Sequence, residues 1–167
     1  AEDLVGVMEQ VKKQGKVRHV AISSTLPHIT TYIQWDKFDS FQIPYSALER
    51  RHEEVISQAA KAGAGIIIRG GVAKGEYASG HTATERWKTW KDAKLDELLS
   101  PGESRSAFLL RFTISHPDMH TTIVGTLNPS HLEENVKAAN AGPLPAEVYA
   151  EAKERLANVG QTPELVA

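Results

Sequence analysis

The stretch Gly65-Ile66-Ile67-Ile68-Arg69-Gly70 decides the fold. Three isoleucines follow one another without a polar interruption, and a glycine closes each end. Such a run suits a strand buried on both faces, as in a parallel sheet. A strand with one wet face alternates apolar and polar residues instead. Working outward, further short apolar or β-branched runs predict strands at 17–22 (VRHVAI), 41–45 (FQIPY) and 121–125 (TTIVG). Between them lie segments of helical periodicity. The spacing predicts helices at 3–14, 27–35, 47–62, 92–99, 104–115, 129–139 and 146–159, a loop with two tryptophans at 71–91, and a frayed tail from Gln161.

Strands alternating with helices predict one α/β domain, residues 1–160, followed by a short tail, 161–167. Its expected core is a sheet of parallel strands joined by right-handed crossovers, with the helices outside. Four such units are half of what a (β/α)8 barrel of about 250 residues requires. They are also enough for an open doubly wound sheet, and the patterning alone leaves both possible. The abrupt start, with Ala1-Glu2-Asp3 leading straight into a helical pattern, reads as a beginning inside a domain.

Composition narrows the function. The 167 residues carry a formal net charge of −2, with 41% hydrophobic and 24% charged residues. No basic surplus points to nucleic acid or an anionic membrane. The chain holds no cysteine, which removes thiolate metal sites, disulfides and a thiol nucleophile, and fits a reducing cytoplasm. No apolar run approaches the roughly 18 residues of a membrane helix.

The motifs are individually modest. Gly70-Gly71-Val72-Ala73-Lys74-Gly75 follows a strand, where α/β folds bind anions, but it matches neither the P-loop nor the dinucleotide fingerprint and also reads as a turn. Thr126 and Asn128 precede a helix that opens at Pro129. The pair reads equally as donors to an anion at a helix start and as a simple N-cap. His131 lies in the same helix start. His116 and His120 flank Pro117 and read as residues of a solvated loop rather than a zinc pair. No GxSxG elbow supports a hydrolase. Trp87 and Trp90 read as loop anchors.

Taken together, four stretches resemble one family. Residues 15–24 (GKVRHVAISS) are similar to the GKVRxIGVSN segment of aldo-keto reductases, and 41–50 (FQIPYSALER) to their FQxPYSLLER strand. Residues 65–75 resemble the strand and loop that approach the cofactor pyrophosphate. Residues 123–135 resemble the IPGTxxPxHLxEN segment. The four occur in the family's order and span nearly the whole chain.

The resemblance implies strands five to eight of a (β/α)8 barrel that transfers hydride from NADPH to a carbonyl. It places Ser23 and Ser24 where a Ser-Asn pair holds the nicotinamide carboxamide, with Gln42 sharing that contact. Arg69 stands beside the nicotinamide, and Gly70 and Val72 on the pyrophosphate. Gly125, Thr126 and Asn128 fall in the adenosine-phosphate segment. His131 takes the place of an arginine against the 2′-phosphate, which weakens the preference for NADP over NAD. Glu134 and Asn135 match the adenine side.

The family's catalytic Asp, Tyr, Lys and His lie ahead of the first strand seen here, so the resemblance assigns no catalytic residue and no metal ligand. The PYS tyrosine, Tyr45, is structural by the same resemblance. The resemblance leaves three readings: a reductase that works once the first half is supplied, a non-catalytic nucleotide-binding or oligomeric half-barrel, and a degraded product. An open half-barrel is expected to pair, as a homodimer or with a separate N-terminal half, because its inner face and strand edges are uncovered.

Overall fold

The computed structural model describes residues 2–73 and 81–166. Four parallel strands form one sheet in chain order: β1 (Ala21–Ser23), β2 (Ser40–Pro44), β3 (Gly65–Arg69) and β4 (Thr121–Thr122). The helices are α1 (Glu2–Lys13), α2 (His28–Gln34), α3 (Glu53–Lys61), α4 (His81–Asp92), α5 (Arg105–Ile114), α6 (Pro129–Ala141) and α7 (Ala146–Asn158). A 3-10 turn, Leu95–Leu98, precedes α5.

The helices cover one face of the sheet. Phe41, Ile43, Ile66 and Ile68 point into it at 0–2% exposure and pack with Ile29, Val55, Ile56, Leu109 and Phe112. Their neighbours in β3 are only half-buried, so β3 alternates, and in β2 Ser40 and Gln42 are half-buried while Pro44 is buried. The GIIIRG run is therefore buried on one face in this chain, and the opposite face is mixed rather than apolar. It carries Ser23, Gln42, Ile67, Arg69 and Thr121.

Several boundaries differ from those the sequence predicts, each for a local reason. The first strand starts at Ala21 rather than 17. The Asp39 carboxylate takes the Val20 N–H at 2.7 Å, and Asp39 N–H donates to Val20 O. The last strand keeps two residues of the expected five. Ile123 N–H still donates to Ile68 O at 2.9 Å, but β3 turns away at Gly70, at φ +72, leaving nothing to pair with. Helix α3 begins at 53, because Ser46 and Glu49 exchange backbone hydrogen bonds and Ser46 Oγ accepts from Leu48 N–H. Such side-chain capture competes with helix.

Part of the expected 71–91 loop is the helix α4, while Lys74, Gly75 and the rest of 74–80 lie outside the described residues. In place of a helix at 92–99 stands the 3-10 turn, entered through Lys94 at φ 51. The tail expected to fray is held. Arg50 Nη1 donates to Gln161 O at 3.0 Å, Glu164 N–H donates to Arg51 O, and Arg51 pairs with Glu164. His116, expected in solvent, is 4% exposed, its Nε2 3.3 Å from Glu53 O. Trp90 is fully buried and donates to Asp96 at 2.9 Å, with the Arg105 guanidinium 5.7 Å from its ring centre, so it anchors its helix as expected.

Gly71 is where α5 and β4 approach the backbone most closely. A Cβ there would sit 3.0 Å from both Thr113 Cγ2 and Thr122 Oγ1, and Thr113 Oγ1 donates to Gly71 O at 2.8 Å. Gly71→Ala is expected to destabilise by about 1–3 kcal/mol, the range for overpacking. A lowered urea midpoint checks this, and an unchanged one contradicts it.

Candidate cofactor site

The strand register assembles the site. Ser23 pairs with Gln42, Gln42 with Ile67, and Ile67 with Thr121, so these four form one row across the sheet. The next row toward the strand C-termini holds Pro44 and Arg69. The half-buried Gln42, Ile67 and Arg69 alternate with the buried Phe41, Ile43, Ile66 and Ile68 and so lie on the face opposite the helices, while Pro44 at the end of β2 is buried. Ser24 is drawn to the row's edge by its N–H, which donates to Gln42 O at 3.3 Å.

Among the described strand residues of this face, Arg69 is the only charged one, and its guanidinium makes no hydrogen bond or ion pair with the described residues. A half-buried cation in a face without acids favours an anion beside it. Gly70 then reverses the chain, and Ala73 N–H closes the turn on Gly70 O at 2.8 Å, with Val72 half-buried between them. The turn lies at the C-terminal end of β3, where α/β folds bind ligands.

Residues 123–135 provide a second wall. Gly125, Thr126 and Asn128 are exposed. Asn128 Oδ1 accepts from Ser130 N–H at 3.0 Å and Thr126 Oγ1 accepts from Asn128 N–H at 3.1 Å, so the capping role read from the sequence is realised. In the first turn of α6 Pro129 has no N–H, Ser130 N–H is held by Asn128 Oδ1 and Leu132 N–H donates to Asn128 O at 3.2 Å, so this wall offers the exposed Thr126 and Asn128 side chains rather than backbone N–H groups. His131 and Asn135 are half-buried and Glu134 is exposed. Glu134 lines a cleft of about 340 Å³ with Ser100, Gly102 and Ser104 from the turn before α5 and Lys137 from α6.

Known proteins share the family and the fold. The model of the Aldo/keto reductase family matches residues 1–157. The chain belongs to the aldo/keto reductase family. Among curated proteins it is similar to the uncharacterized oxidoreductase YqkF of Bacillus subtilis, with 26% identity over 160 residues covering 87% of this chain and 52% of that protein. It is also similar to an uncharacterized oxidoreductase of Schizosaccharomyces pombe, 29% identical over 154 residues, covering 92% of this chain and 47% of that protein. Its fold overlays an aldo-keto reductase from Bacillus halodurans in the holo form with a TM-score of 0.77 at 26% identity, covering 90% of this chain and 52% of that one. For the apo form the TM-score is 0.78, at 26% identity and 92% and 56% coverage. The chain spans about half the length of the curated relatives it matches, and its sheet is half of an aldo/keto reductase barrel.

Within that half, sequence reading missed one residue beside the site. His52 is 3% exposed, and its Nε2 accepts the N–H of Leu26, in the turn that follows Ser23 and Ser24. In the sequence it is one more polar residue in ERRHEE, with no pattern to mark it. Among the described residues no cluster of three His, Asp or Glu side chains could hold a metal, and no helix is long and apolar enough to cross a membrane.

Proposed function

We propose that this chain is the cofactor-holding half of an NADP(H)-dependent carbonyl reductase. The observation that carries the reading is the row Ser23–Gln42 with the lone cation Arg69 above it, at the C-terminal ends of a parallel sheet that overlays an aldo-keto reductase. The donor set fits a dinucleotide: amide and hydroxyl groups for a carboxamide, a glycine turn and the exposed Thr126 and Asn128 side chains for phosphates, and a cleft at Glu134 for the base.

The dinucleotide, when bound, supplies a hydride. Ser23, Ser24 and Gln42 would hold the carboxamide and so fix which ring face meets the substrate, a positioning role. Arg69 would offset negative charge at the mouth. Gly70 and Val72 would present backbone to the pyrophosphate. Gly125, Thr126, Asn128 and His131 would take the adenosine phosphates, and Glu134 with Asn135 the adenine. The stretch 121–135 contains no Lys or Arg, and NADP is favoured over NAD only through the family. Loss of one hydrogen bond costs about 0.5–1.5 kcal/mol. In a barrel completed with the first half of a relative, Gln42→Ala is therefore expected to weaken NADP+ binding by roughly 2- to 12-fold. Unchanged affinity by calorimetry would count against the reading.

The partner is part of the same proposal. Leu4 and Val7 on α1, Leu132 and Val136 on α6, and Ile123 after β4 are all 50% exposed or more. These elements flank the two edge strands in the chain, where the other half of a barrel packs. The first occupant we propose is a first-half segment. A second copy of this chain, as a twofold homodimer, is the reading these apolar edges favour for the chain by itself. Light scattering at micromolar concentration is expected to give a dimer, and an ordered monomer would remove that reading. A cytoplasmic location belongs to the same proposal and is supported by the absence of cysteine.

A further inference from the structure

We infer that His52 is a positioning residue of the site mouth: its imidazole holds the turn that carries Ser23 and Ser24, and releases it on protonation. The inference uses the cofactor reading only for the ligand arm of its test.

The geometry is a single side-chain tie. The turn is bound at one end by Ser24 N–H to Gln42 O and at the other by Ile29 N–H to Thr25 O at 3.1 Å. Between them Leu26, 6% exposed, donates its N–H to His52 Nε2 at 3.3 Å. The ring is fixed from behind, because His52 caps α3 and its carbonyl accepts Ile56 N–H at 3.0 Å. An Nε2 that accepts must be unprotonated, so the ring proton sits on Nδ1. Nδ1 is buried and has no hydrogen-bond partner among the described residues. The neutral ring thus satisfies Leu26 and leaves its own N–H unsatisfied, an arrangement that costs stability unless the turn repays it.

Protonation puts a hydrogen on Nε2, facing the Leu26 N–H. Two donors then oppose each other and the tie is lost. The charged groups acting on the ring are Arg51 beside it, Arg69 at the end of β3 and Glu164 of the tail, while the turn 23–27 brings no charged side chain. Burial first, then Arg51 and Arg69, push the imidazole down from 6.5 to about 4, with Glu164 opposing. The opened turn lets the ring reach water and regain an ordinary affinity for protons. Acid therefore favours the open turn, progressively from about pH 6.5 down to about pH 4.

The test follows amide hydrogen exchange by NMR in the 167-residue protein. Between pH 7.5 and pH 5 the protection factor of Leu26 is expected to fall about 30-fold, the ratio set by affinities near 6.5 when open and 4 when closed. The Ile56 amide, bonded to the backbone of His52 itself, should keep its protection. His52→Gln retains an acceptor and removes the titration, so its Leu26 protection should not vary over this range. If that variant does not fold, the wild type decides: the loss at Leu26 must set in near pH 6.5 and level off where the His52 ring signals of the closed form titrate, at about 4. Leu26 protection that is unchanged as the pH falls, or that falls equally in His52→Gln, overturns the inference. NADP+ added to the chain joined to the first half of a relative separates the two claims. If it binds, saturating NADP+ should raise Leu26 protection at pH 5 in the wild type, and a protection that bound NADP+ leaves unchanged overturns the positioning role. If it binds at no pH, the cofactor reading fails while Leu26 still decides whether His52 holds the turn.

Discussion

Pure protein of these 167 residues is expected to consume no NADPH with aryl aldehydes beyond the rate without protein. Carbonyl reduction needs a proton donor within hydrogen-bond reach of the carbonyl oxygen, about 2.6–3.2 Å. The described strand residues of the inner face offer Ser23, Gln42, Arg69 and Thr121, none of which gives up a proton near neutral pH. Tyr45, Tyr149 and His116 of the core are on the helical side, and the buried His52 is engaged as the acceptor of Leu26 N–H. Tyr45 is fully buried among the helices, where desolvation pushes its hydroxyl well above its ordinary value, and desolvation raises its partner Tyr149 to about 12. His116 is buried behind the same face and pushed down by desolvation. Absence of general acid catalysis alone costs roughly 10²–10⁴ in rate. Joining the first half of the Bacillus halodurans reductase to this chain is expected to raise turnover by at least that factor. Steady NADPH consumption by the pure chain would contradict the account.

Arg50→Ala is expected to destabilise the fold by about 3–5 kcal/mol, the cost of breaking a buried ion pair from one side. Arg50 is 3% exposed and Glu53 6%. Arg50 Nε donates to Glu53 Oε2 at 2.8 Å, and Nη1 donates to Lys153 O at 2.9 Å and to Gln161 O. One guanidinium therefore joins the start of α3, helix α7 and the tail. Glu53 also pairs with Lys153. Burial pushes the Glu53 carboxyl up, but Arg50 and Lys153 outweigh it and hold the group below its ordinary 4.5. A carboxyl lowered by folding contributes stability above pH 4.5 that is lost as the pH falls through its folded value. The penalty of Arg50→Ala should accordingly shrink in acid. Arg50→Lys should recover only part, since an ammonium cannot span the three acceptors as the fork does. Urea unfolding at pH 7 checks the prediction, and a loss under about 1 kcal/mol would show that Lys153 alone suffices, below the range for a broken buried pair.

What the sequence made legible followed from short-range patterns. The Ile66-Ile67-Ile68 run located the central strand, and its parallel pairing followed from alternation with helices. The row of Ser23, Gln42 and Arg69 came from matching three separate stretches to one family, because nothing local links residues that only the sheet register brings together. Misplaced boundaries trace to single side chains. Asp39 takes the Val20 amide, and Ser46 captures the turn before α3. The inner face was read as apolar because a run of isoleucines does not reveal that its flanking Gly65 and Arg69 share a face with Ile67 alone. His52 and His116 were invisible as buried groups: a histidine's burial depends on helices and turns distant in the chain. The network of Arg50, Glu53 and Lys153 was hidden likewise, since Lys153 lies 103 positions from Arg50.

The central claim is that the open face of this sheet holds a dinucleotide. It is tested most directly by titrating NADP+ into the 15N-labelled chain joined to an unlabelled first half of a relative, and following the amide signals. The account predicts saturable shifts at Ser23, Ser24, Gln42, Gly70 and Val72 at the strand ends and at Thr126, His131 and Glu134 beside α6, with Ile56 and Leu156 on the helical side unmoved. Shifts confined to the helical side, or none at these residues at millimolar NADP+ in a folded barrel, would contradict it.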